Sequence, residues 1–284
     1  MLWSILSPIF YSFATIFYKK SLSSKVHVSP TFFSLLWFSA YIFFLLYFFV
    51  THSYSFVWVN WLVLATVIIV SSLWTIVAYI SIYVYSNEKI SVITPYENLN
   101  KVLSITFSYF LFHDVTIPAL IVWIAVICVI IFGSLDLKNL QFPRFIKVFF
   151  LHQILTSLTT LGIGYALTKI TSVDYFILEN IFMIGMYIAI LLYKKEISEV
   201  KKGNVAFHKN RFLSSLMDAL GYFISLTIIS SIGVSMNIII SFLYLAFILI
   251  LSYIFLSDAP DRKSILFSLI ICILVSIAFY LNTI

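Results

Sequence analysis

About ten apolar stretches, each long enough to cross a bilayer, follow one another through the chain almost from end to end. Lipid is therefore the solvent to which these side chains are matched. Hydrophobic residues make up 62% of the 284 positions and charged residues 10%, whereas a soluble domain is roughly 25% charged. No soluble fold could bury this much apolar side chain. The one sizeable polar run, Lys194 to Arg211, is too short to form an extramembrane domain. The fold expected is all-α and polytopic, with spans at residues 2–18, 30–50, 58–85, 90–112, 117–134, 145–168, 172–193, 211–231, 234–256 and 264–281.

Charge placement sets the expected orientation. Apart from Lys101 and Lys169, every Lys and Arg falls in an odd-numbered loop. Basic loops stay on the cytoplasmic side, so the Lys194 to Arg211 loop is expected inside and both termini outside a plasma membrane crossed many times. The N-terminal run lacks a basic leader and continues apolar to Tyr18, so it reads as a retained first span rather than a cleaved signal. A net charge of +6 scattered over loops marks topology, with no nucleic acid as partner. Cys128 and Cys272 lie inside apolar runs, which argues against a disulfide framework or a metal site. Trp58 and Trp61 read as part of an interfacial belt.

The second half echoes the first without gaps. Asp258 follows Asp114 by 144 positions and Cys272 follows Cys128 by the same 144; Ser108-Tyr109 meets Ser252-Tyr253 in that register. Residues 1–140 and 141–284 are thus expected to be two five-helix repeats. Five is odd, so the second copy enters the membrane inverted, the plan of secondary transporters with a solute site near the midplane.

The segment SIGVSMNIIISFLYLAFILILSYIFLSDAP resembles the second-half signature of the EamA-like drug/metabolite transporter superfamily, and NEKISVITPYENLNKVLSITFSYFLFHD is similar to the first-half counterpart. The resemblance implies a ten-helix bundle with spans 1, 3, 4, 6, 8 and 9 around a central cavity. The chain departs from the family pattern where proline is common in mid-spans 4 and 9, showing Lys101 and Leu245 instead, with Pro95 available to bend the first half. It also ends these spans in His113-Asp114 and Ser257-Asp258.

Polar residues at helical spacing occur on those same spans. Thr94, Glu97, Lys101, Ser104 and Ser108 share a face of span 4; Ser215, Asp218, Tyr222 and Ser225 share one of span 8; Asn237, Ser241, Tyr244 and Ser252 share one of span 9. Such stripes point inward, whether toward a cavity or into helix contacts that small polar residues permit. A charge at mid-span costs about 2.5–3.5 kcal/mol. Glu97 and Lys101, at i and i+4, can neutralise each other, either as a structural pair or as groups that exchange partners with a zwitterionic solute. Asp218 has no local counter-ion and is the foremost candidate for a protonatable or cation-binding group. Glu179 is read mainly as the partner of a loop lysine, His152 as interfacial, and Asp114 and Asp258 as caps of spans 5 and 10. The substrate-binding candidates are Glu97, Asn100, Lys101, Tyr79, Asp218, Tyr222, Asn237 and Tyr244, with Trp74 as a further lining aromatic. The proton-coupling candidates are Asp218, Glu97 and Glu179.

Nucleotide-binding loops, HExxH, GxSxG and cysteine-histidine clusters are missing from the sequence, so neither an enzyme nor a cofactor is expected. The function expected is secondary transport of a small organic metabolite, amine or amino-acid-like, coupled to protons, by a monomer whose partners are its solute and the lipid bilayer. A flippase of lipid-linked headgroups and a nontransporting scaffold are the alternatives.

Overall fold

The computed structural model describes residues 2–23, 28–51, 60–90, 93, 97, 99–112, 116–134, 146–196, 204–258 and 262–283. Helix accounts for 91% of them, with no strand among them. A 3-10 turn, Leu2–Ile5, leads into α1 (Leu6–Leu22). α2 (Pro30–Leu35) passes through a second 3-10 turn, Leu36–Ser39, into α3 (Tyr41–Thr51). Next come α4 (Trp61–Asn87), α5 (Leu99–Phe112), α6 (Ile117–Ser134), α7 (Ile146–Leu167) and α8 (Ser172–Tyr193). The rest is α9 (Val205–Ile232), α10 (Val234–Ser241), α11 (Leu243–Leu256) and α12 (Arg262–Thr283).

Five segments are long and apolar enough to cross a membrane: α4, α8, α9, Lys147–Leu167 of α7, and Val234–Leu256 across α10 and α11. The bent pair Pro30–Ser39 and Tyr41–Thr51 makes a sixth. Within their described bounds α1 and α5 are 17 and 14 residues long. The described residues are therefore helical throughout their regular structure, with five or six apolar helices of the kind a multi-pass membrane protein has.

Local chemistry explains the helix starts. Asn60 and Asn204 cap α4 and α9, their side chains accepting from the Leu62 and Phe207 amides at 3.0 and 2.8 Å. Thr171 caps α8 by accepting from the Asp174 amide at 3.1 Å, while its hydroxyl donates to the Asp174 carboxylate at 2.7 Å. Ser29 caps α2 with Pro30 at the first helical position. Gly233 separates α9 from α10 at φ 95°, a left-handed conformation that glycine adopts without a side-chain clash.

Two spans read as continuous are interrupted. The second bends by 42° around Leu36–Ala40, and the ninth breaks at Phe242 although it carries no proline. α9 also begins at Val205, six residues before the expected start, so Arg211 belongs to a helix and not to the polar loop. Pro95, Thr94, Trp58 and Asp114 lie outside the described residues, as does any comparison of Asp114 with Asp258. Asp258 is buried within electrostatic range of Lys19. Lys19 in turn donates to the carbonyls of Tyr85 and Glu88 at the end of α4. Trp61, at the start of α4, is 75% exposed, in keeping with an interfacial place.

The longest contact runs between α1 and α9, with α11 on another side of α1. α7 packs on α4 and α5, α8 on α4 and α2, and α6 pairs with α12. Large apolar side chains such as Phe43, Leu46 and Val50 on α3 are left on the outside, where hydrocarbon would cover them. α1 and α9 approach closely because a glycine lies between them. A Cβ at Gly221 would meet the Ser7 carbonyl at 3.2 Å and Phe10 at 3.4 Å. Ser7 also donates to the Gly221 carbonyl at 3.0 Å and shares a 2.8 Å hydrogen bond with Ser225. Gly221→Leu should prise the two helices apart and cost about 3 kcal/mol or more by overpacking, read as a lower melting temperature of the detergent-purified protein. Gly221→Ala should lose about 1 kcal/mol; equal melting temperatures for Gly221→Leu and the parent would refute the close approach.

Candidate functional site

Where α1 to α5 and α7 to α11 face one another they line a cavity of about 410 Å³. Seven of the eight expected binding residues line it: Glu97, Asn100, Lys101, Asp218, Tyr222, Asn237 and Tyr244. Glu179 and Trp74 line it too. Tyr79 does not. Its hydroxyl shares a 3.0 Å hydrogen bond with Thr31, and Lys194 sits over its ring at 5.5 Å, because its position on α4 turns it toward α2 and the end of α8.

One wall carries two carboxylates. Tyr41 donates a short hydrogen bond to Asp218, with the Trp37 indole alongside. Glu179 receives the Tyr175 hydroxyl at 3.0 Å and a short hydrogen bond from Tyr222. Tyr175 reaches it by i, i+4 spacing on α8, and Tyr41 is fixed by stacking on Phe176 at 5.5 Å. The carboxylates are near enough to act on each other electrostatically. Phenols, rather than the expected loop lysine, thus serve Glu179, which is only 2% exposed. Neutral donors hold these oxygens in place, and Arg211, on the same helix as Asp218, acts on that carboxylate electrostatically, so the counter-ion that local spacing did not show is supplied from seven positions earlier.

The second wall is built from the start of the α5 segment and the break in the ninth span. Lys101 acts electrostatically on Glu97, and the Tyr244 hydroxyl lies beside the same carboxylate. Tyr244 also shares a 3.0 Å hydrogen bond with Thr15 of α1. The ammonium of Lys101 donates to the Ser241 carbonyl at 2.8 Å and lies 5.0 and 5.2 Å from the rings of Phe242 and Tyr244. Lys101 therefore stands where a helix break needs a donor, since lipid offers none.

Several lining residues were not anticipated, among them Ser34, Tyr41 and Tyr187; Arg211 and His152 were read as lying elsewhere. Arg211, 2% exposed, donates through Nε and Nη2 to the Phe33 carbonyl at 3.0 and 2.9 Å. Its guanidinium packs on Tyr18, Phe33 and Trp37. The signal for it was present: Arg211 continues the span 8 stripe of Ser215, Asp218, Tyr222 and Ser225 backward by one step of four. His152, expected at the interface, instead lines the cavity, sharing a 2.8 Å hydrogen bond with Ser81 and stacked on Phe149 at 5.4 Å. Among the described residues no group of three or more His, Cys, Asp or Glu is placed to hold a metal ion.

No protein-family model matches the chain, and no curated protein is a significant match for it.

Removing Lys101 alone should be costly, because it strands Glu97 and frees the Ser241 carbonyl. Lys101→Met is expected to lose about 3–5 kcal/mol, and Glu97→Gln combined with Lys101→Met should recover part of it. Thermal denaturation of the three proteins in one detergent decides; additive losses would mean that the two side chains do not interact.

Proposed function

We propose that the chain is a secondary-active carrier of small organic solutes, with ten spans in two inverted five-helix repeats and an EamA-like plan. The observation that carries the transport reading is one cavity within apolar helices bordered by five charged side chains, Glu97, Lys101, Glu179, Arg211 and Asp218, drawn from both halves of the chain. A scaffold has no need of such groups, each expensive to place in a bilayer. The solute in this reading is an amine or amino-acid-like molecule, with Asp218 and Glu179 as the groups that exchange a proton between access states.

Several relations support the repeat. The capping asparagines Asn60 and Asn204 are separated by the same 144 positions. Packing is exchanged in the way a two-fold axis requires: α1 lies on α9 as α7 lies on α4, and α1 on α11 as α7 on α5. α6 and α12, related by the offset, pair with each other. Alternating access would follow from rocking one repeat against the other around the cavity. In this scheme both termini face outward across the plasma membrane and the loop before Asn204 faces the cytoplasm.

Transport is tested in proteoliposomes with panels of amino acids, amines, nucleosides and sugars under an imposed proton gradient. Gradient-driven accumulation of at least one amine or amino acid is expected; uptake no greater than in empty liposomes across every panel would refute the carrier. Asp218→Asn keeps the shape of the side chain but not its titratable proton. It should abolish the response to the gradient, and an undiminished response would remove Asp218 from the coupling step.

Orientation has a separate test. With Cys128 and Cys272 replaced, a cysteine at position 204 should resist an impermeant maleimide in intact cells while one added at the C-terminus reacts. The reverse pattern would invert the topology.

A further inference from the structure

We infer that the cavity is a two-ended site for an organic zwitterion, whose anionic end is received by Arg211, Tyr187 and Ser34 and whose ammonium end is received by Glu97 and Asn100. This rests on the reading of the cavity as a solute site, but not on transport itself. The argument is one of unspent hydrogen bonds. Nearly every buried polar atom in a protein has a partner, and those that lack one call for an explanation. Among the described residues, the buried side-chain atoms without a partner include Arg211 Nη1, Tyr187 Oη, Ser34 Oγ, Glu97 Oε2 and Asn100 Oδ1. All five residues line the one cavity.

They are sorted by chemistry. Arg211, Tyr187 and Ser34, only 2, 1 and 3% exposed, come from α9, α8 and α2 and each has hydrogen to donate. Arg211 is within electrostatic reach of Asp218 and of Tyr187, and the Tyr187 hydroxyl lies beside those of Ser34 and Thr75. Because Nε and Nη2 of Arg211 are both committed to the Phe33 carbonyl, Nη1 is held in a fixed direction. A guanidinium nitrogen beside two hydroxyls is a receptor for a carboxylate or a similar oxyanion. On the other wall the unpartnered atoms are oxygens. Glu97 Oε2 and Asn100 Oδ1 have lone pairs without a hydrogen-bond partner, although the Tyr244 hydroxyl lies beside the Glu97 carboxylate and Lys101, which also donates to the Ser241 carbonyl, acts on it electrostatically. That wall calls for a donor, which an ammonium supplies.

The ends stand apart. Arg211 packs on Tyr18, which lies three residues along α1, a rise of about 4.5 Å, beyond Thr15. Thr15 in turn bonds the Tyr244 hydroxyl beside Glu97. Tyr18 and Tyr85, in edge contact at 5.5 Å, both line the cavity and offer apolar surface to a spacer. The site therefore favours a zwitterion whose charges are separated by more bonds than those of an α-amino acid.

The test is calorimetric binding to the purified full-length protein in detergent, with glycine, 6-aminohexanoate, hexanoate and hexylamine as probes. 6-Aminohexanoate should bind most tightly, and each single-charge analogue about tenfold more weakly, the worth of one charge-assisted hydrogen bond. Tyr187→Phe and Ser34→Ala each remove a single oxygen. They should weaken 6-aminohexanoate and hexanoate several-fold and leave hexylamine unchanged. Glu97→Gln, with Asn100→Ala as a second acceptor-side variant, should weaken 6-aminohexanoate and hexylamine and leave hexanoate unchanged. Equal binding of the zwitterion and either analogue, variants that weaken all probes alike, or no binding of any probe overturns the two-ended site. The outcomes for transport separate cleanly. A zwitterion that binds but is not moved in proteoliposomes refutes the carrier and leaves this site standing, whereas flux of singly charged solutes with no preference for a second charge does the reverse.

Discussion

A bilayer offers no water to a backbone group that loses its helical partner, and the architecture depends on how side chains serve four backbone groups at two interrupted spans. Where the second span bends, Arg211 takes up the Phe33 carbonyl. Ser215 then donates to the Trp37 carbonyl and accepts from the Ala40 amide at 2.9 Å. Where the ninth span breaks, Lys101 takes up the Ser241 carbonyl at 2.8 Å. Arg211 and Lys101 both line the cavity as well. The side chains that allow the helices to break are thus among those that furnish the space the breaks create, so the shape of the cavity and its charge cannot be altered independently.

The carboxylate wall follows a different logic. Asp218 and Glu179 are held by phenols from three helices, α3, α8 and α9. A lysine or arginine in direct contact would lower the cost of placing them there but would also occupy the oxygens that a mobile cation or proton must reach. Hydroxyl donors fix orientation at lower electrostatic cost to function. The rigid aromatic packing around them, including Tyr41 on Phe176 and Phe176 near Phe223, limits how far either carboxylate can swing.

Hydropathy and helical periodicity made the helices and most of the cavity lining legible, because both depend on local spacing. Asp218, Tyr222 and Tyr244 lie on inward stripes visible as steps of three and four. Periodicity failed where a long-range partner decided the matter. Phe242 has nothing in its own neighbourhood that marks a helix break; the donor that stabilises it is 140 positions away in sequence. Arg211 reads as a loop residue because charge is a poor sign of a span, yet three aromatic rings and a carbonyl accept it. Tyr79 shares the right helix but the wrong azimuth, which only the packing of α2 and α8 determines. His152 was assigned by depth alone, and depth does not distinguish a side chain facing lipid from one facing Ser81.

The embrace of α1 by α9 has a consequence for biogenesis. About 180 residues separate the two helices, and at about 5–20 residues per second a ribosome needs on the order of 10–40 s to make them. Throughout that interval the hydroxyl of Ser7, which finally meets Gly221 and Ser225, has no tertiary partner. The nascent first helix must be sheltered, by the insertion machinery or by its own backbone carbonyls, until the ninth emerges to claim it.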